Sequence, residues 1–217
     1  MIELTPEIVG GIPKNGPTDP IEYYRRPVVG WLFRERINLG LRMLPPRRFS
    51  RGLEIGYAAG ALQIVLALHV DELHGLDLDA DPAPVRAFLA QRGLQSHLIQ
   101  GSVYELPYED ARFDLAFCFS VFEHLVEYQL ALREVARVLK PGGLFLLGMP
   151  RVDVVMGAGF RAIGFKGIDG HHVTTPADVV RGFAGAGFKV LRENHLELPL
   201  RSPLGIRLYN NWLLERV

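Results

Sequence analysis

From Arg51 onward short apolar runs alternate with helix-length segments, and this alternation restricts the possible folds more than any other feature of the chain. Gly52–Ile55 reads as a strand, followed by a Gly/Ala turn and a helix over Ala61–Val70. Leu73–Leu78 reads as a second strand, after which Asp81 and Pro82 supply the N-cap and first position of a helix over Ala83–Gln91. His97–Gln100 and Phe113–Phe119 are the third and fourth apolar runs. Tyr128, Leu132, Val135 and Leu139 form one side of a helix over Glu127–Leu139, which Lys140-Pro141-Gly142-Gly143 ends before a fifth strand, Leu144–Gly148. Thr175-Pro176-Ala177-Asp178 resembles a capping box, with Asp in the Glu position, for a helix ending at Gly187. Phe188–Leu191 and Leu208–Val217 read as the last strands. Strands and helices alternating at this spacing predict an α/β fold whose parallel sheet is covered on both faces.

The chain of 217 residues is long enough for one full domain, and 48% hydrophobic with 22% charged residues fits a soluble globular protein. A formal net charge of zero provides no global field for nucleic acid or anionic membrane. Cys118 is the only cysteine, so no intrachain disulfide forms and a reducing compartment is expected. The start, Met-Ile-Glu-Leu-Thr-Pro-Glu, has neither a basic nor an apolar leader pattern, and the most apolar stretch, Ala61–Val70, is about half a membrane span. These features point to the cytoplasm and to no integral membrane segment.

Residues 1–22 contain Pro6, Pro13, Pro17 and Pro20 with Gly10, Gly11 and Gly16, so an extended arm is expected there. A helix over Tyr23–Leu44 follows, stopped by Pro45-Pro46. Its arginines (Arg25, Arg26, Arg34, Arg36 and Arg42), with Arg47 and Arg48 beyond, read either as a solvated face or as a phosphate-contacting one.

The most informative cluster is Leu53-Glu54-Ile55-Gly56-Tyr57-Ala58-Ala59-Gly60, between a strand and a helix. Small residues at 56, 58 and 60 allow a sharp turn and let a ligand approach the backbone. Asp77 lies 21 residues after Gly56 at the carboxyl edge of the second strand, where such folds bring a carboxylate to a ribose diol. Two hydroxyls on that carboxylate would each contribute about 1.5–3 kcal/mol at most. Because Asp77 is expected at an open strand end, its removal is expected to leave the empty protein's stability unchanged. A dinucleotide fingerprint requires small residues at 56, 58 and 61, here Gly, Ala and Ala. Gly instead recurs at 56 and 60, which disfavours a nicotinamide oxidoreductase.

In this order the chain resembles the S-adenosylmethionine-dependent methyltransferases with the seven-stranded Rossmann-like fold, in their small-molecule, type 11 branch. The resemblance covers about residues 50–217. It rests on the Gly56/Gly60 loop, Asp77, Gly101–Tyr108, Phe113-Asp114, Glu123-His124-Leu125, Arg137–Gly143, His172–Pro176 and Ala186-Gly187-Phe188. It implies a three-layer sandwich with a mostly parallel seven-stranded sheet and one antiparallel strand near the C-terminus. Residues 1–46 would cover the site, 50–150 would bind cofactor, 151–172 would form a lid, and 173–217 would supply the last helix and strands. It further implies S-adenosylmethionine as cofactor, leaving as S-adenosylhomocysteine. Glu54 and the loop Gly56, Tyr57, Ala58 and Gly60 would serve its methionine part, Asp77 and Leu78 the ribose end, and Ser102 and Val103 the adenine. Phe119 and Ser120 would face the bound cofactor. Ser102 replaces the family's usual Asp, which weakens adenine recognition by about 1 kcal/mol, and Ala58 replaces the middle glycine, a change the loop is expected to tolerate.

Methyl transfer requires an aligned nucleophile and a dry site more than an elaborate catalytic apparatus. His124, His171 and His172 are the candidate general bases, with Glu123 behind them; packing and capping remain the alternative roles. A Glu-x-x-Glu-His metal motif lacks its first acid, which is Ser120 here, so no metal is expected. The acceptor is expected to be a small molecule, with Tyr23, Tyr24, Trp31, Met156, Phe160 and Phe165 suiting an aromatic or apolar one. No nucleic-acid substrate is expected, and a homodimer is compatible with the sequence. A protein of the same fold with a cyclase-like or regulatory role is the alternative.

Overall fold

The strand Phe113–Phe119 sends alternate side chains into two different cores, and the layers follow from that division. Leu115 and Phe117 join one buried cluster, and Ala116 and Cys118 the other. In the computed structural model, residues 3–16, 19–151, 172–198 and 206–217 are described. The strands are β1 (Phe49–Ile55), β2 (Val70–Asp77), β3 (His97–Gln100), β4 (Phe113–Phe119), β5 (Leu139–Pro150), β6 (Phe188–Leu198) and β7 (Ile206–Arg216). They form one seven-stranded sheet in the order β3-β2-β1-β4-β5-β7-β6. Pairing is parallel from β3 through β5, while β7 runs antiparallel to both β5 and β6. The expected architecture, including its single reversed strand, is the one observed.

The helices are α1 (Pro6–Val9), α2 (Ile21–Arg25), α3 (Pro27–Leu41), α4 (Ala61–Leu66), α5 (Pro82–Ala90), α6 (Tyr128–Val138) and α7 (Pro176–Gly182). Leu132 and Val135 of α6 and Val179 of α7 pack with Phe145 and Leu147 on one face of the sheet. Phe33, Ile37 and Leu41 of α3 and Leu62 and Val65 of α4 pack with Leu144 and Leu146 on the other. Val85 and Leu89 of α5 cover Leu98 of β3. Thr175 and Asp178 complete the capping box reciprocally at α7. Asp81 accepts from the Ala83 N–H at the start of α5.

Several elements differ from the sequence reading, and among them α7 ends at Gly182 short of Gly187 and β6 continues past Leu191 to Leu198. The N-terminal segment is not wholly extended: Pro6 occupies the first turn of α1, where its missing N–H costs nothing, and Thr5 caps it. The predicted helix over Tyr23–Leu44 is two helices, because Pro27 forces Arg26 out of helical conformation, to ψ 145°. The helix expected to reach Val70 stops at Leu66, since Val70 must enter β2 to pair with Phe49. In β5 the Lys140–Gly143 turn bulges out: Leu139 pairs with Phe113 and Leu144 with Leu115.

Helix α3 is tethered to the reversed strands by side chains. Asn194 donates to the Leu39 carbonyl at 2.7 Å and Asn211 to the Arg36 carbonyl at 3.0 Å, and Asn211 also donates to Asn194 Oδ1. This positions the arginine-bearing helix over the carboxyl ends of β4 and β5.

Gly60 enters α4 at φ +78°, and a Cβ there would stand 2.4 Å from Val85 Cγ1. Left-handed strain and overpacking should together make Gly60→Ala cost about 2–4 kcal/mol. Thermal denaturation should show a melting temperature lower by roughly 5–12 °C. An unchanged melting temperature would mean that α5 is not packed on this turn.

Candidate functional site

The turn after β1 is built around positive backbone angles at Gly56 (φ +84°), Ala58 (φ +44°) and Gly60 (φ +78°). Ala58 therefore holds a conformation that costs an L-residue about 1–2 kcal/mol, so the methyl group is accommodated at the price of local strain. Asp77 supplies the compensation. Its Oδ2 accepts from the Ala58 N–H at 2.8 Å, and its Oδ1 accepts from the N–H groups of Asp79 and Ala80, both at 2.9 Å. A carboxylate offers about four acceptor positions, so roughly one remains on Oδ2 for a ligand hydroxyl rather than the two expected from sequence. The same bonds revise the expectation that Asp77 is dispensable to the empty protein: it joins the β1 turn to the end of β2.

Other expected cofactor residues divide into those facing the turn and those supporting it. Leu78 is 63% exposed beside Asp77 and presents an apolar surface at the strand edge. Ser102 is partly buried, and its Oγ accepts from the Tyr104 N–H at 3.2 Å, which leaves acceptor capacity free for a further bond. Val103 is buried in the core. Tyr57 is also buried and donates to the Ala80 carbonyl at 3.1 Å, so it braces the turn from beneath. Glu54 is buried and accepts from the Gln63 amide; burial pushes its carboxyl up to about 8. The ring of Phe119 lies against Gly40 and Gly148 on the α3 side.

Ser120 follows β4 at φ +57°, a strained angle for a non-glycine residue. Its hydroxyl is shared between Arg36 Nη1 at 2.9 Å and Tyr209 Oη at 2.8 Å, and Arg36 Nη2 donates to Tyr24 Oη at 3.0 Å. The neighbouring Val121 Cγ2 is 2.5 Å from where a Cβ on Gly56 would stand, so this polar cluster borders the turn directly. Burial raises the Tyr209 phenol well above its ordinary range. Tyr24 is buried in the cluster, whereas Trp31 points outward, 49% exposed. Arg34 is buried and donates to the Tyr24 carbonyl, and Arg42 pairs with Glu3 and Glu35. Arg25, Arg26, Arg42, Arg47 and Arg48 are exposed, as a solvated face requires, while Arg34 is buried and Arg36 half-buried.

Glu123 is buried with one carboxyl oxygen unpartnered, and burial pushes it up to about 8. The N–H groups of Val173 and Thr174 donate to its carbonyl at 2.8 and 3.2 Å, which brings His172 to the site. The rings of His124 and His172 are 5.0 Å apart. Glu123, His124 and His172 each offer a ligand atom within 4.8 Å of the others. The absence of an acid at position 120, on which the expectation of no metal rested, is thus made up from a distant segment. His171 and the remainder of the expected lid, including Met156, Phe160 and Phe165, lie outside the described residues.

Sequence reasoning missed Arg36, Tyr209 and Asn15. Nothing local separates Arg36 from its neighbouring arginines, and Tyr209 reads as one more residue of a late strand. Asn15 donates to the carbonyls of Ala58 (3.0 Å) and Asp81 (2.9 Å), fastening the N-terminal segment across the turn. Among the described residues no helix is long and apolar enough to cross a membrane.

Residues 53–147 match the family model described as a methyltransferase domain. The chain is 35% identical over 115 residues to the uncharacterized methyltransferase YcgJ of Bacillus subtilis (strain 168), covering 52% of this chain and 46% of that protein. It is 33% identical over 110 residues to the 27-O-demethylrifamycin SV methyltransferase of Amycolatopsis mediterranei (strain S699), covering 49% and 40%. The chain thus spans less than half the length of these relatives. The crystal structure of YcgJ superposes with a TM-score of 0.63 at 20% identity, covering 83% of this chain and 97% of that one. The [4+2]-cyclase SpnF gives 0.70 at 18% identity, covering 98% and 92%. These likenesses establish the fold.

Glu123 should shape the pH dependence of stability. Folded, it keeps its proton up to about 8, whereas its ordinary value is 4.5. Between those pH values the folded state binds more protons than the unfolded state, so stability falls as pH rises. Glu123→Gln should therefore melt progressively higher relative to the parent from pH 5 to pH 8. A difference in melting temperature that stays flat across that range would show that Glu123 ionises like an exposed acid.

Proposed function

We propose that this protein, whose residues 53–147 match the methyltransferase-domain model, binds S-adenosylmethionine over the β1 turn and donates its methyl group to a small-molecule acceptor. The observation that carries this reading is the strained turn Gly56–Gly60 held by Asp77, with an exposed Leu78 beside it. Side chains at 56 and 60 would collide with Val121 and Val85, so glycine keeps the turn tight beneath a ligand, and Asp77 retains one acceptor position for a ribose hydroxyl. Leu78 suits the flat face of a base, and Ser102 and the neighbouring chain suit its edge. Glu54 and Tyr57 hold the turn from below.

When bound, S-adenosylmethionine supplies a methyl carbon already activated by its sulfonium. What the chain adds is alignment and exclusion of water. Ser120, Tyr24, Tyr209 and Arg36 line the neighbouring side and are the groups we assign to the acceptor. His172 or His124 would take a proton from an acceptor that must lose one; Glu123, protonated at neutral pH, is less suited to that role. The N-terminal segment already spans the turn through Asn15. A small-molecule acceptor is supported by relatives whose names refer to rifamycin and demethylmenaquinone. A cytoplasmic protein without a nucleic-acid partner accords with zero net charge and a single buried thiol, and a homodimer is compatible with the site.

Calorimetry with S-adenosylhomocysteine tests the cofactor, and methyl donation to a panel of small acids, phenols and amines tests the reaction. Asp77→Ala should weaken S-adenosylhomocysteine binding about ten- to a hundredfold. It should also lower the melting temperature of the empty protein by roughly 4–8 °C, because three N–H groups lose their acceptor. Parent-like affinity in the variant would remove Asp77 from the nucleoside site.

A further inference from the structure

We infer that Arg36 anchors a carboxylate of the methyl acceptor, so that the acceptor is a small organic acid; the inference rests on the methyltransferase reading above. The guanidinium is already fixed in place. Nε donates to the Phe33 carbonyl at 3.3 Å, Nη1 to Ser120 Oγ and Nη2 to Tyr24 Oη. Its central carbon lies 4.5 Å from the ring centroid of Phe33, 5.1 Å from that of Tyr209 and 5.7 Å from that of Tyr24. Of the five N–H donors of an arginine, three are engaged, which leaves one on each terminal nitrogen. Two such donors on adjacent nitrogens match the two oxygens of a carboxylate.

The charge of this group is not balanced from within the described residues. Arg42 has Glu3 and Glu35, Arg137 has Asp110 and Glu134, and Arg51 has Glu72. Arg36 has hydroxyls, a carbonyl and aromatic rings, but no carboxylate at ion-pair distance. Glu123, the acid nearest in electrostatic effect, forms no ion pair with the guanidinium, and one of its carboxyl oxygens has no partner. A partly buried cation without a counter-ion is costly, and a ligand anion removes that cost.

The anchor reaches the turn from the β7 side of the sheet. Tyr209 lies on β7, opposite Pro150 of β5, and the sheet order places β7 three strands from β1. At about 4.8 Å per strand that is roughly 14 Å from the strand carrying Glu54 and leading into the turn. Ser120 and Val121, next to Gly56, close the distance on one side only. A sulfonium beside the turn and the Arg36 guanidinium would repel each other, and an anionic acceptor between them turns both contacts into attractions.

The test uses the full chain saturated with S-adenosylhomocysteine. Acetate, benzoate and phenylacetate are titrated by ligand-observed NMR, each against its primary amide of nearly the same shape. At least one carboxylate should bind ten times more tightly than its amide. Arg36→Gln should abolish that preference while keeping S-adenosylhomocysteine affinity within about threefold of the parent. Arg36→Lys, which retains the charge without the planar fork, should reduce the preference by threefold or more, and it serves if the glutamine variant does not fold. Amides binding as well as every carboxylate would overturn the inference, as would a preference that survives in either variant at the parent's level. A larger loss of S-adenosylhomocysteine affinity in Arg36→Gln would also overturn it, since the fork would then serve the cofactor's amino-acid end. A parent that binds no S-adenosylhomocysteine refutes the cofactor reading instead, and carboxylate preference in the unliganded protein then still tests the anchor.

Discussion

The carboxylate of Asp77 accepts from three backbone N–H groups, and much of the site depends on that arrangement. One bond reaches across to Ala58 in the β1 turn, and two fold the chain back after β2 at Asp79 and Ala80. Charge-assisted bonds of this kind are roughly twice as strong as neutral ones, which suits a turn containing a left-handed alanine. The turn in turn sets the position of α4, whose first residue follows Gly60, and of α5, whose Val85 sits where a side chain at 60 would have to be. A single acid thus couples two strand ends, two helices and the surface on which a nucleoside would rest.

Across the sheet the corresponding organiser is α3. Two asparagines on β6 and β7 hold its backbone, and from that helix Arg36 extends to the end of β4. The hydroxyls of Ser120 and Tyr24 accept from a guanidinium that forms no ion pair among the described residues, Tyr209 bonds Ser120 beside it, and Glu123 lies buried with its carboxyl raised by burial. This half of the site has fixed positive charge and aromatic walls. The turn-side half has fixed backbone donors and one carboxylate. The two halves meet where Val121 packs against Gly56.

Strain is concentrated along that seam. Ala58 and Ser120 both hold positive φ angles, and both take part in polar contacts that keep them there. Two buried acids, Glu54 and Glu123, flank the same region with carboxyls raised by burial. Elsewhere the central strands β1, β4 and β5 send apolar side chains into the cores on both faces, as a covered parallel sheet requires.

The strand–helix alternation, the apolar runs of β3 and β4, the capping box at Thr175, and the glycine turn with its acid 21 residues later were all legible in the sequence. Each is a local pattern: periodicity, cap chemistry and turn chemistry act within a few residues, and the spacing of a βαβ unit sets the rest. The ends of α4 and β5 were not legible, because partner strands set them through register. Nor was the acceptor side. Arg36, Ser120 and Tyr209 are separated by 84 and 89 residues along the chain and become neighbours only when β7 inserts beside β5 in reverse and α3 is pinned across it. His172 reaches Glu123 and His124 in the same way, through backbone bonds from Val173 and Thr174. Local sequence could specify the β1 turn because the bonds from Asp77 that hold it close over two adjacent strand ends. The chemistry opposite it depends on contacts between distant segments, which only the packed sheet brings within reach.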